Sequence, residues 1–168
     1  MQLLLIRHGL AGDRETFAAT GQDDALRPLT AEGGKKMKRN ARGLRRVVGA
    51  IDVLGASPLL RAAQTASIVS SAYGGVGVTT VPALAPDASP RSFLAWLRKQ
   101  QDATVVAAVG HEPHLGALAT WLLTGEEESH IPLRKGGACL LELEGRPRSG
   151  AATLQWALTP TMLRRLRD

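Results

Sequence analysis

Apolar residues along this chain gather in short runs that stop abruptly, and between those runs they recur at the spacing of a helix face. Leu3-Leu4-Leu5-Ile6 stops on Arg7-His8-Gly9, Ile51 to Ala56 on Ser57-Pro58, Val76 to Val81 on Pro82, and Ala103 to Val109 on Gly110-His111. Runs of this length bounded by Gly or Pro read as buried strands. Met37, Ala41, Leu44 and Val48 follow a capping Thr30 at helical spacing, with Lys and Arg opposite, and predict a helix from Thr30 to about Val48. Ser57-Pro58 opens a second helix that carries Ala62, Ala66 and Val69 on one face and ends at Tyr73-Gly74-Gly75. Pro90 to Gln100 and Pro113 to about Leu123 predict two more. Residues 10 to 28, 82 to 89 and 125 to 137 lack periodicity and read as loops, the first of them long enough to suggest a functional one. Ala138 to Glu144 and Ala151 to Leu158 read as two last strands around Gly-Arg-Pro-Arg-Ser-Gly.

Strands alternating with helices predict an α/β fold of three layers, a mostly parallel central sheet covered on both faces with an antiparallel hairpin at one edge. With 168 residues, the chain suits a single domain over 1–168 that buries its core without a disulfide or metal. A composition 44% hydrophobic without repeats argues against a disordered or fibrous chain. Cys139 is the one cysteine, and its apolar surroundings predict a buried, inert thiol. The N-terminal apolar run is broken by Arg7 and His8, so it reads as neither signal peptide nor membrane span, and a cytoplasmic protein is expected.

The chain has 21 Lys and Arg against 15 Asp and Glu, a formal charge of +6 that favours anionic partners. Seven of those cations fall between Lys35 and Arg46. They read as the solvated face of an amphipathic helix, with an acidic protein docking surface as the alternative. No aromatic platform is interleaved with them, so nucleic acid is not supported as a partner. Glu126-Glu127-Glu128 reads as a solvated loop, and His114 and His130 as ordinary helix or loop residues.

In open α/β sheets chemistry gathers beyond the carboxyl ends of the strands. Three junctions there carry reactive residues: Arg7-His8, Ser57 to Arg61, and Gly110-His111. Two guanidinium forks match phosphate oxygens, and two imidazoles can donate hydrogen bonds or act as nucleophile. There is no acidic cluster or Cys pair at metal-ligand spacing, no Walker loop, no Gly-x-Ser-x-Gly elbow and no dinucleotide fingerprint. The pattern describes a metal-free anion pocket that calls for no cofactor.

Leu-Ile-Arg7-His8-Gly9, Ser57-Pro58-Leu59-Leu60-Arg61-Ala62-Ala63-Gln64-Thr65-Ala66 and Val109-Gly110-His111-Glu112-Pro113 resemble, in order, the three signature blocks of the histidine phosphatase superfamily, whose fold is phosphoglycerate mutase-like. Arg27-Pro28-Leu29-Thr30 and the closing Trp156-Ala157-Leu158-Thr159-Pro160 resemble its SixA-type phosphohistidine phosphatases. The resemblance implies that His8 is the nucleophile, with one ring nitrogen fixed by a backbone carbonyl, and that Arg7, Arg61 and a protonated His111 hold the phosphoryl group. Larger members carry an acid on an insertion that this chain is too short to contain. Glu112 is the candidate general acid, with Asp13, Asp23 and Asp24 the other carboxylates at hand. The expected partner is a phosphohistidine-bearing protein, because a protonated imidazole leaves phosphorus without a dedicated acid. The alternatives are a small phosphoester substrate and, from another class, a non-catalytic phosphate- or nucleic-acid-binding module.

Overall fold

In a computed structural model, which describes residues 1–166, every predicted apolar run becomes a strand of one sheet. The strands are β1 (Gln2–Arg7), β2 (Val53–Ala56), β3 (Val78–Thr80), β4 (Val105–Gly110), β5 (Ala138–Leu143) and β6 (Ala152–Leu158), in the order β3-β2-β4-β1-β5-β6. β1, β4, β2 and β3 pair in parallel, and β5 and β6 form the antiparallel hairpin at one edge. The helices are α1 (Arg14–Ala18), α2 (Ala31–Val47), α3 (Leu60–Ala72), α4 (Pro90–Leu97), α5 (His114–Thr124) and α6 (Pro160–Arg165).

The side-chain period of two along β1 builds a core on each face. Leu3 and Leu5 pack with Phe93 and Leu97 of α4 and with Leu115 and Leu118 of α5. Leu4 and Ile6 pack with Met37 and Leu44 of α2, Ala62 and Val69 of α3, and Leu163 of α6. Each such fully buried side chain contributes roughly 1.5–3 kcal/mol, and Leu5→Ala would cost about 2–5 kcal/mol. This layering explains why β1 reads as an unbroken apolar run: neither of its faces meets water.

The shared direction of β1, β2 and β4 brings their carboxyl ends to one edge. Two backbone bonds fasten the junctions together beyond the strands: His8 N–H donates to Gly110 C=O at 3.0 Å, and Ser57 N–H to Val109 C=O at 2.9 Å. The three predicted junctions are therefore neighbours.

The structure departs from the expected elements in several places: residues 82 to 89 hold a 3₁₀ turn at Pro82–Leu84, and the helix expected to open at Ser57-Pro58 begins at Leu60. Residues 10 to 28 hold α1 and a 3₁₀ turn at Asp24–Leu26, capped by Asp13, which accepts from Thr16 N–H at 2.8 Å, and Asp23, which accepts from Ala25 N–H at 2.9 Å. The helix α6 lies past the last expected element, with Thr159 as its cap and Pro160 in its first turn. It crosses α2 at Gly43, where a Cβ would collide with the Leu163 carbonyl. β3 is shorter than the run Val76 to Val81 and its three residues are exposed, as an edge strand tolerates. Among the described residues no helix is long and apolar enough to cross a membrane.

Candidate active site

His8 follows the last residue of β1, and His111 the last residue of β4; their rings approach to 5.0 Å between centroids at 53°. His8 Nδ1 donates to the Gly9 carbonyl at 2.7 Å. Because a carbonyl can only accept, that bond puts the proton on Nδ1 and leaves Nε2 with its lone pair. The Gly9 N–H is in turn held by Thr65 Oγ1 at 3.1 Å, and the same hydroxyl donates to the Arg61 carbonyl at 2.7 Å. Thr65 thus joins the β1 junction to the first turn of α3.

Arg61 reaches the site from α3, where it is buried. Its Nη1 donates to the Asp24 carbonyl at 2.9 Å and its Nη2 pairs with Asp24 Oδ2 at 3.1 Å. Arg27 binds the same carboxylate through Nε at 2.7 Å, so the 10–28 segment is folded down onto Arg61 by one aspartate. The two arginines hold the Asp24 carboxyl below the ordinary range. Arg7 is anchored differently: its Nη1 donates to Leu133 C=O at 2.7 Å, while Leu133 N–H donates to Glu112 Oε1 at 3.0 Å. The backbone of one residue thereby fixes Arg7 on one side and Glu112 on the other. Burial raises the Glu112 carboxyl's pKa, opposed by that backbone bond and by Arg7.

The remaining donors are what give the site its character. Arg7 Nε, Arg61 Nε and His111 Nδ1 are buried without a hydrogen-bond partner among the described residues. Buried N–H groups are expensive to leave unpaired, and grouped ones are a cradle for an anion. His8, Arg61 and His111 are 6%, 5% and 2% exposed, so attraction to a bound anion would be weakly screened.

A sequence profile of the histidine phosphatase superfamily (branch 1) matches residues 3–85. Of the solved structures, that of the protein histidine phosphatase SixA complexed with tungstate superposes with a TM-score of 0.82 at 25% identity, covering 96% of this chain and 98% of that one. The chain belongs to the histidine phosphatase superfamily. The phosphohistidine phosphatase SixA of Escherichia coli (strain K12) is 27% identical over 167 residues, 98% of this chain and 97% of the relative. An uncharacterized protein of Picosynechococcus sp. (strain ATCC 27264 / PCC 7002 / PR-6) is 39% identical over 158 residues, 92% and 89% of the two chains. The six-stranded mixed sheet is the phosphoglycerate mutase-like fold of SixA, and the superfamily supports a phosphatase.

In this SixA-like histidine phosphatase burial disfavours charge on both rings. Burial, opposed by the Gly9 bond and aided by Arg61, Arg7 and Lys135, lowers the His8 pKa to about 4. Burial first, then His8 and Arg61, lowers that of His111 to about 3. Against the protonated His111 expected from the sequence, burial and the neighbouring cations disfavour charge on that ring. Its Nε2 lies 2.7 Å from Ser57 Oγ, and a serine hydroxyl donating there leaves the proton on the unpartnered Nδ1.

Of the carboxylates noted in the sequence, Asp13 and Asp23 serve as caps, Asp24 faces Arg61, and Glu112 supports Leu133. His130 is exposed, whereas His114 is buried at the start of α5 with neither ring nitrogen in a well-aligned hydrogen bond among the described residues. The sequence offers no local sign of that burial. Thr65 stands four residues past Arg61, one turn along α3, and Lys135 lies in the segment before β5, where no local pattern marks it. Cys139 is buried, and burial pushes its thiol up to about 12.

Proposed function

We propose that this phosphatase hydrolyses protein phosphohistidine through a covalent intermediate on His8, with Arg7, Arg61 and His111 holding the transferred phosphoryl group. The observation that carries the reading is the proton-free Nε2 of His8 on a ring 5.0 Å from that of His111, with Arg7 Nε, Arg61 Nε and His111 Nδ1 buried and without a partner among the described residues. A phosphoryl group in transfer spreads charge over three equatorial oxygens, and fixed donors aimed at that charge need no reorganisation. Two guanidinium groups supply the positive charge without a metal.

The chemistry runs in two displacements. His8 Nε2 attacks phosphorus as the P–N bond of the substrate breaks, and the substrate's imidazole, already protonated on its other ring nitrogen, takes the bonding pair and departs neutral. Water then attacks the phosphohistidine, releasing phosphate and restoring His8 with its proton on Nδ1. Because the leaving imidazole carries its own proton, Glu112 is not required as an acid; its bond to Leu133 suits a positioning role for Arg7. The similarity to the SixA of Escherichia coli (strain K12) supports the same substrate class.

Mixing the protein with phosphoramidate and quenching within milliseconds tests the covalent step. An acid-labile, base-stable phosphoryl adduct in the wild type and none in His8→Ala is expected; phosphate release without any adduct would overturn it. Turnover of phosphohistidine protein set beside a panel of small phosphoesters then tests the substrate, and preference for the esters would replace the protein reading.

A further inference from the structure

Around the corner of Gly9 from His8, at the same edge of the sheet, a cavity of about 210 Å³ is lined by Gly9, Lys36, Asn40, Lys135, Gly136 and Arg164, among others. Its three cations come from three separate parts of the chain: α2, the loop before β5, and α6. No acidic residue lines it, and among the described residues neither Lys135 nor Arg164 has a carboxylate partner; Lys36 is paired with Glu32 at 2.6 Å. With Lys36 already answered by Glu32, Lys135 and Arg164 are like charges drawn together by the fold, and an anion between them would relieve their repulsion.

The wall of this cavity is a fixed relay. Gly136 N–H donates to the His8 carbonyl at 3.0 Å, Asn40 Nδ2 donates to the Gly136 carbonyl at 3.0 Å, and Arg164 Nη1 donates to Asn40 Oδ1 at 3.2 Å. Asn40 is buried, and Gly136 is held at φ 79°, where a Cβ would stand 2.6 Å from Asn40 Nδ2. Only glycine suits both that left-handed backbone and that close approach. Three hydrogen bonds therefore tie the Arg164 guanidinium to the backbone of His8. Asn40 occupies only one of the terminal nitrogens of Arg164, and Arg164 Nη2 reaches Thr161 Oγ1 at 3.0 Å; the fork has further N–H donors to give.

From this juxtaposition we infer that the cavity is a subsite for a carboxylate side chain of the phosphorylated protein, flanking the phosphohistidine. The inference rests on the phosphatase reading above and names a specificity element within it. None of Arg7, His8, Arg61 and His111 lines the cavity, so the anion it receives is a second one. A cavity of this size is several times the volume of one water and suits an Asp or Glu head with its stem.

The test is a series of phosphohistidine peptides in which a single Glu is walked through the flanking positions, each compared with its Ala counterpart on the same enzyme. In the wild type one Glu position should raise kcat/KM about tenfold through KM, the scale of a charge-assisted hydrogen bond. In Lys135→Gln/Arg164→Gln that ratio should fall to about one, and Arg164→Lys with Lys135 intact should restore part of it. Because the readout is a ratio on one enzyme, a general loss of activity in a variant cancels. Phosphoramidate turnover by the wild type with no Glu preference at any position would overturn the subsite and leave the phosphatase reading standing. A wild type that releases no phosphate from phosphoramidate would overturn both.

Discussion

Two groups of cations in this molecule are alike in composition and opposite in surroundings. Arg7 and Arg61 stand at the carboxyl edge of the sheet, Arg61 with both terminal nitrogens on Asp24 and Arg7 with Nη1 on the Leu133 carbonyl, and the Nε of each is buried without a partner among the described residues. Lys35, Lys38, Arg39 and Arg42 project from α2 into water. Charge in water is screened within about 8–10 Å and sets only a long-range field. Charge fixed in a dry cleft, with donors already oriented, can hold an anion in one geometry. The comparison teaches that the density of basic residues does not locate chemistry; the commitment of their donors does.

The sharpest way to break this contrast is at the centre of the buried group. His8→Ala should lower turnover of phosphoramidate by at least about 10⁴-fold while phosphate still binds, as expected when a nucleophile is removed and its cradle is kept. Equilibrium phosphate titration beside single-turnover kinetics checks both halves, and a variant within about 100-fold of wild type would place the nucleophile elsewhere. Arg61→Gln should cost roughly 10²–10³ in kcat/KM, the scale for one lost oriented donor. Arg61→Lys should recover little of it, since an ammonium cannot bind Asp24 and a phosphoryl oxygen in the same plane.

A pH titration separates the two regions by stability. An unfolded histidine takes up its proton near pH 6.5, whereas folded His8 does so only at about 4 and His111 at about 3. Below 6.5 the unfolded chain therefore binds more protons, and stability must fall as pH falls towards those values, with full stability kept above 6.5. Each ring contributes a slope of about 1.4 kcal/mol per pH unit at most. Urea unfolding at pH 7, 6 and 5 measures it, and a flat profile would mean that the rings are solvated.

A smaller effect concerns Glu112. Glu112→Gln keeps an oxygen for Leu133 N–H and should hold activity within about fivefold, whereas Glu112→Ala frees Leu133 and should lose about tenfold or more. The parallel ranking of the two variants on phosphohistidine and on a small ester is the check: an ester-specific collapse in Glu112→Gln would instead make Glu112 the acid. At the bottom of the scale, Lys38→Gln with Arg42→Gln should leave kcat/KM within about twofold and stability within about 0.5 kcal/mol. A larger loss on protein substrate alone would turn the α2 face into a docking surface.

Much of this was legible before any coordinates. The strands of the sheet and α2 to α5 announced themselves because burial on two faces writes long apolar runs, and burial of one helix stripe writes a 3.6-residue period. The elements that escaped are short: α1, the turn at Asp24–Leu26 and α6 bury at most one residue each, so they leave no period to read. Their only marks were the caps Asp13, Asp23 and Thr159, which Asp and Thr in any loop could equally provide.

The sequence by itself determined the sheet, the face each strand residue takes, and the three junctions where Arg7, His8, Arg61 and His111 stand, because these follow from local periodicity and from blocks of adjacent residues. Only the tertiary structure decided that Asp24 would close on Arg61, that Thr65 would bridge Gly9 to α3, and that Gly136 and Asn40 would carry Arg164 to the back of His8. It also decided that burial disfavours charge on His111. Those facts depend on groups far apart in the chain, such as Asn40 and Arg164 at a separation of 124 residues, and on how much water each has lost, and neither distance in space nor desolvation is written in the neighbours a residue has along the sequence.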